Sequence, residues 1–239
     1  MGRPSLLPPG AFSEVFFNHL LSILRRRPGV KELNLVLLGD FFDLIRTKDW
    51  WTIGKGRWKP KKVTPWSEDQ KGIGEETLKI LQRIVKRNKA ILQAIKDLPE
   101  RLLSQEFPRL EVIEITYVPG NHDRLITLPL VWKEAKESLG EVRLFNEGFF
   151  NPKGYRVLAF HGHQLDCLNR KDKGIPPIGD FISSLVTAIP YWIEAEMKRE
   201  GFPPDLIESF KKRMLRIDDV RPQSAVLSWL LSVAKGEKE

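Results

Sequence analysis

One cysteine, Cys167, is all the thiol this chain has. It cannot close an intrachain disulfide, so a disulfide-stapled scaffold is excluded and a reducing, cytoplasmic setting is expected. Met1 is followed by no basic segment leading into a short apolar one, the pattern of a secretory signal. Long hydrophobic runs are also missing. The most apolar stretch, residues 174–193, carries Asp180 as its only charge, but Pro176, Pro177, Pro190, Ser183, Ser184 and Thr187 interrupt it. It falls short of the ~18 to 20 apolar residues that span a bilayer, which leaves peripheral contact as the form of membrane association to expect. There is no internal repeat and no low-complexity tract, so solenoids and flexible arrays are excluded.

What is there is ordinary globular material. At 239 residues and 41% hydrophobic, the chain can bury a full core and is neither disordered nor collagen-like. The expectation is a single domain over 1–239, with a helical cap from about 175 to 239. The 39 Lys and Arg exceed the 31 Asp and Glu by a net charge of +8, a bias toward anionic partners.

Three short apolar runs read as strands: residues 33–38, 112–118 and 155–160, the first buried on both faces and the third paired with 142–145 across the turn at 151–154. Helices are expected over about 12–26 and 75–98, separated by the first strand and a polar, Trp-rich loop over about 47–74. Further helices are expected near 181–199, 204–216 and 223–234. Strands alternating with long helices argue for an α/β layered domain.

Each strand runs directly into a polar cluster: Gly39-Asp40-Phe41-Phe42-Asp43, then Gly120-Asn121-His122-Asp123, then His161-Gly162-His163. In α/β sheets the loops at the carboxyl ends of strands converge on one crevice, so residues far apart in sequence can share a site. An Asp carboxylate, an Asn amide oxygen and a neutral imidazole form a mixed O/N donor set suited to Mn, Fe or Zn.

Strand-GD-x-x-D, strand-GNHD and strand-HGH, in this order, resemble the middle motifs of the calcineurin-like metallophosphoesterases, and most closely those of the UDP-2,3-diacylglucosamine hydrolase-like branch. The resemblance covers roughly residues 30–165. It implies a two-sheet α/β sandwich flanked by helices, with the helical cap after the third motif. It further implies two divalent metals that activate a water to hydrolyse a phosphomonoester, phosphodiester or pyrophosphate bond. Residue by residue, Asp40 matches the bridging carboxylate, and Asn121 and His161 match ligands of the second metal. His122 matches the residue that steadies the phosphoryl oxygen or protonates the leaving group, with Asp123 orienting it. The substrate implied is a phosphorylated small molecule or lipid precursor, with nucleic acid as the runner-up.

The chain departs from the family at both ends. No Asp precedes Asp40, His19 is the only earlier histidine, and no histidine follows His163. The family's first Asp-x-His and last Gly-His-x-His are therefore absent. The expectation is a chain truncated at both ends that holds one metal or fewer, its own activity left open. A different class stands beside this one: a non-catalytic binding module of the same fold, for nucleic acid or a protein partner.

Other residues have two readings each. His163 is an extra ligand or a supporting histidine, and Asp43 orients a ligand or caps a turn. His19 and Cys167 are expected to be partly buried and without a chemical role. Trp50, Trp51, Trp58 and Trp66, set among Lys48, Lys55, Arg57, Lys59, Lys61 and Lys62, form either an anion-binding aromatic platform or a lid whose rings cover the core. Phe181, Ile182, Leu185, Val186, Ile189, Tyr191 and Trp192 line either a substrate-reading, lipid-facing surface or a packed helix face.

Overall fold

The runs at 33–38 and 112–118 become strands, the run at 155–160 does so only over its last two residues, and the amphipathic segments become helices. The computed structural model describes residues 9–54, 57–104, 107, 109–170, 177–217 and 225–235. In chain order these form α1 (Pro9–Arg25), β1 (Glu32–Gly39), a 3-10 turn (Lys48–Trp50), the strands β2 (Trp51–Gly54) and β3 (Arg57–Pro60), α2 (Gln70–Arg87), α3 (Lys89–Lys96) and α4 (Leu98–Leu103). Then come β4 (Val112–Pro119), a 3-10 turn (Arg124–Thr127), α5 (Pro129–Leu139) and the short strands β5 (Val142–Leu144), β6 (Phe149–Phe150) and β7 (Ala159–Phe160). A 3-10 turn (His163–Leu165) precedes α6 (Ile178–Arg199), α7 (Pro204–Met214) and α8 (Val226–Lys235). The described residues form a mixed α/β fold with small sheets and no barrel among them.

Two compact units divide the chain: one holds the described residues of 9–44 and 70–170, the other those of 45–69 and 177–235. The first is a sheet unit. Its three-stranded sheet has the order β1-β4-β5, all parallel, with β1 and β4 in register from Glu32↔Val112 to Gly39↔Pro119. Parallel neighbours need crossovers, and here the helices supply them: α2 to α4 between β1 and β4, and α5 between β4 and β5. Leu20 and Leu24 of α1 meet Leu98 and Leu102 of α4 and Leu110 in a buried cluster, with Leu33 and Leu35 of β1 packed against it. Burying each such leucine stabilises the fold by roughly 1.5 to 3 kcal/mol.

Several expectations need correction. β1 is an edge strand and only half-buried, its Leu38 being 42% exposed, whereas β4 is the interior strand. Val142 to Leu144 pairs with β4 and not with the 155–160 segment, because there Val142 is buried beside Ile115. The partner of β7 is β6, over two residues. The single helix expected over 75–98 breaks at Asn88, whose side-chain amide donates to the Ile84 carbonyl at 2.9 Å while its backbone leaves helical geometry at ψ 20°. His19 and Cys167 are exposed, not partly buried, since the apolar stripe of α1 runs through Leu20 and Leu24 instead.

The second unit contains structure where an irregular loop was expected. β2 and β3 pair antiparallel, with Ile53 opposite Trp58. Trp51 stacks on one face of Trp58 at 4.9 Å between centroids, and Trp192 of α6 stacks on Trp58 at 5.3 Å. The Trp51 indole N–H donates to Ser184 Oγ at 2.8 Å. The rings of Trp51 and Trp58 thus pack against α6 and each other; Lys55 and the side chain of Arg57 lie outside the described residues. Lys48 and Lys211 both lie over the Tyr191 ring. No helix among the described residues is long and apolar enough to cross a membrane, as the sequence indicates.

Candidate functional site

The parallel register that ends at Gly39 and Pro119 delivers Asp40 and Gly120 side by side at the carboxyl edge of the sheet. Both glycines are needed for what happens next. A Cβ on Gly120 would lie 2.2 Å from Asp40 Oδ1, so only glycine lets that carboxylate reach the second loop. Gly39 has a φ of +100°, and a Cβ there would lie 2.0 Å from His161 Cδ2, so it makes the seat for the imidazole of the third loop.

Asp40 is the hub. Its Oδ1 accepts the backbone N–H of His122 at 3.0 Å, and its Oδ2 faces His122 Nδ1 at 3.4 Å and His161 Nε2 at 3.6 Å. Asp43 supplies a second carboxylate, with Oδ1 at 3.1 Å from His122 Nδ1. It does so from a left-handed backbone, φ 54°, the only positive φ at a non-glycine among the described residues. His161 Nδ1 lies 3.2 Å from His163 Nδ1. Burial holds the His163 imidazole below its ordinary value, and the neighbouring His161 acts in the same direction.

Asn121 is buried in the same loop and donates through Nδ2 to Asn169 Oδ1 at 3.3 Å. Asp123 is not placed as the family pattern implies. It turns from His122 into the interior, where it is fully buried and accepts the backbone N–H groups of Phe42 at 2.8 Å and Leu44 at 3.2 Å, and the hydroxyl of Tyr117. Burial pushes its carboxyl up to about 7, against the opposing pull of the Tyr117 hydroxyl and the Phe42 N–H. Burial also raises the Tyr117 phenol well above its ordinary value, and the Asp123 charge adds to the effect. Asp123 is therefore a staple that fixes the Asp40 loop, and the carboxylate that addresses His122 from outside its own loop is Asp43 together with Asp40.

Sequence reasoning missed Tyr117 and Asn169. A tyrosine in the interior strand reads as core, and an asparagine in a polar segment reads as surface, so neither carries a signal before the fold is known.

The donors can be tested against a divalent cation. Asp40 Oδ2 and His161 Nε2 are 3.6 Å apart, close to the edge of about 3.4 Å between two ligands of a tetrahedral ion with bonds of about 2.1 Å. The Asp40–His161 edge therefore fits one side of one coordination sphere. Among the described residues, no group of three or more His, Cys, Asp and Glu is arranged to hold a metal ion, so a two-metal set is not assembled by them. Comparison of the chain with protein-family models, curated proteins and solved structures gives no match in any of the three.

Proposed function

We propose that the sheet unit carries a metallophosphoesterase-type hydrolytic site in which Asp40, Asn121 and His161 hold a divalent cation and His122 attends the phosphoryl or leaving-group oxygen. The observation that carries this reading is the convergence on Asp40 of His122 and His161, from two loops more than 80 residues away in sequence. On this reading the β1-β4-β5 and β6-β7 sheets belong to the two-sheet sandwich that the motif order implies. A bound divalent cation would neutralise phosphate charge and acidify the attacking water. With Nδ1 of His122 facing the Asp43 and Asp40 carboxylates, Nε2 is the nitrogen left to address an oxygen of the substrate, and the two carboxylates stabilise the imidazolium when it carries a proton. The substrate class is a phosphomonoester, phosphodiester or pyrophosphate.

The test is Mn²⁺ stoichiometry of the full chain by elemental mass spectrometry after desalting, alongside hydrolysis of bis(p-nitrophenyl) phosphate. One Mn²⁺ is expected for the unaltered chain and none for Asp40→Ala. His122→Ala is expected to keep the ion and lose on the order of 10²- to 10⁴-fold in turnover. Hydrolysis that survives Asp40→Ala, or loss of Mn²⁺ from His122→Ala, overturns the assignment.

A non-catalytic binding module is the second reading, and the lack of a three-donor His/Cys/Asp/Glu group among the described residues favours it. Salt-sensitive binding of single-stranded oligonucleotide by a chain that hydrolyses nothing would select it.

A further inference from the structure

We propose that Asn169 is a positioning residue for Asn121: its Oδ1 accepts the Asn121 Nδ2–H and so leaves Oδ1 as the Asn121 atom offered to a cation. The direction of this bond is fixed by a third residue. Asn169 Nδ2 lies 2.6 Å from Asp166 Oδ2, and a carboxylate only accepts, so the Asn169 atom at that end is the nitrogen. The other end of the same planar amide is then Oδ1, an acceptor, and the Asn121 atom 3.3 Å from it is the donor Nδ2. Turning over the Asn169 amide would set two oxygens 2.6 Å apart at Asp166, and turning over Asn121 alone would set two oxygens 3.3 Å apart at Asn169. The choice matters to a metal, because a side-chain amide ligates through its carbonyl oxygen while its NH₂ group only donates.

Asp166 is itself held in the form this requires. Its Oδ1 accepts the Leu168 N–H at 2.8 Å, and its carbonyl accepts the Asn169 N–H at 3.2 Å and the Arg170 N–H at 2.8 Å. One residue thus fixes both the backbone turn and the amide carried on it. The Leu168 N–H, with the Asn169 amide adding to it, holds the Asp166 carboxyl below its ordinary value, so it stays an acceptor at neutral pH. At the other end Asn121 is buried and adjoins His122, whose backbone N–H bonds Asp40 Oδ1 at 3.0 Å. The bridge therefore runs from the exposed turn after His161 to the buried loop beside Asp40. Loss of such an outer partner of a ligating side chain weakens metal binding by about 10- to 100-fold. The value of the orientation to a cation rests on the proposed function; the hydrogen bonds themselves do not.

The test is ¹H–¹⁵N correlation of the side-chain amides of the full, metal-free chain, read as exchange of the Asn121 Nδ2 protons with water, with Mn²⁺ titration calorimetry on the same samples. In the unaltered chain one Asn121 Nδ2 proton is expected to exchange slowly. Asn169→Ala should make it exchange faster and weaken Mn²⁺ binding about 10- to 100-fold. The swap of Asp166→Asn with Asn169→Asp keeps an oxygen toward Asn121 and reverses only the outer bond, so it should keep the slow exchange. Asn121→Asp separates orientation from loop shape. A carboxylate presents an oxygen whichever way it turns, so in that background Asn169→Ala should change Mn²⁺ affinity less than about twofold. Equally fast exchange with and without Asn169, or an equal loss of Mn²⁺ affinity in both backgrounds, overturns the proposal. Slow exchange that depends on Asn169, in a chain that takes up no Mn²⁺, supports the hydrogen bonds and overturns the metal reading.

Discussion

The carboxylate of Asp123 accepts the backbone N–H of Leu44, 79 residues earlier in the chain, from a position with no solvent exposure. With the Phe42 N–H and the Tyr117 hydroxyl, this bond ties the loop after β1 to the loop after β4. Asp40 lies just before the tied segment and His122 just before the staple, so the separation of those two side chains is set by a residue that touches neither ring nor substrate.

Asp123 should make stability fall as pH rises. Its carboxyl is raised to about 7 in the folded chain, against about 3.9 in an unfolded one, so the folded state binds the extra proton between those values. Its contribution is complete below about pH 4 and is lost as pH passes through about 7. Urea midpoints measured from pH 5 to 8 should therefore decline, and Asp123→Asn should flatten that decline. Tyr117→Phe removes a donor that favours the carboxylate, so it should move the decline to higher pH; movement to lower pH would contradict the assignment.

Gly39→Ala and Gly120→Ala should fail differently. At Gly120 the new Cβ meets backbone atoms, Asp40 N and the Gly39 carbonyl carbon, both at 2.9 Å, as well as the Asp40 carboxylate. The loop must shift, at a cost of about 1 to 3 kcal/mol in denaturant unfolding. At Gly39 the close atoms belong to the His161 ring, which swings away, so metal binding should suffer more than the clash alone suggests. Calorimetry with Mn²⁺ on both variants separates the two effects.

Asp43→Gly should uncouple stability from turnover. Relieving the left-handed backbone at φ 54° favours the folded chain by up to about 1 kcal/mol, while removing the carboxylate 3.1 Å from His122 Nδ1 should lower phosphodiester hydrolysis at least tenfold. Asp43→Asn should keep the backbone conformation and share the loss of turnover. Full hydrolysis in both variants would make Asp43 a turn residue and nothing more.

The sequence makes legible those features that repeat or stand next to each other. Apolar runs ending in glycine identify β1 and β4, and their common ending with polar clusters puts Asp40 and His122 at one edge of the sheet, whereas His161 follows β7 of the separate β6-β7 pair. Long-range accounting is not legible in this way. Nothing local to Asp123 says that its partners are the N–H groups of Phe42 and Leu44, and nothing local to Val142 says that β4 offers a better burial than the hairpin partner nearby in sequence. The break at Asn88 rests on one residue whose side-chain amide and backbone N–H both bond the Ile84 carbonyl, too local a signal to see against a strong amphipathic stripe. The β2–β3 hairpin hid behind the charges of its second half: Lys55, Arg57, Lys59 and Lys61 stand at every second position there, so the segment reads as polar loop until the indoles find α6.

That stack of indoles also makes the molecule optically lopsided. Trp51, Trp58 and Trp192 lie ring on ring in the second unit, close enough for their transitions to couple, and Trp132, stacked on Tyr117, is alone among the seven tryptophans in belonging to the sheet unit. Exciton bands in circular dichroism therefore report on the second unit, and a fluorescence trace is dominated by it. The unit that carries Asp40 and His122 can be watched separately only through one indole, which is the probe to keep when all the others are replaced by phenylalanine.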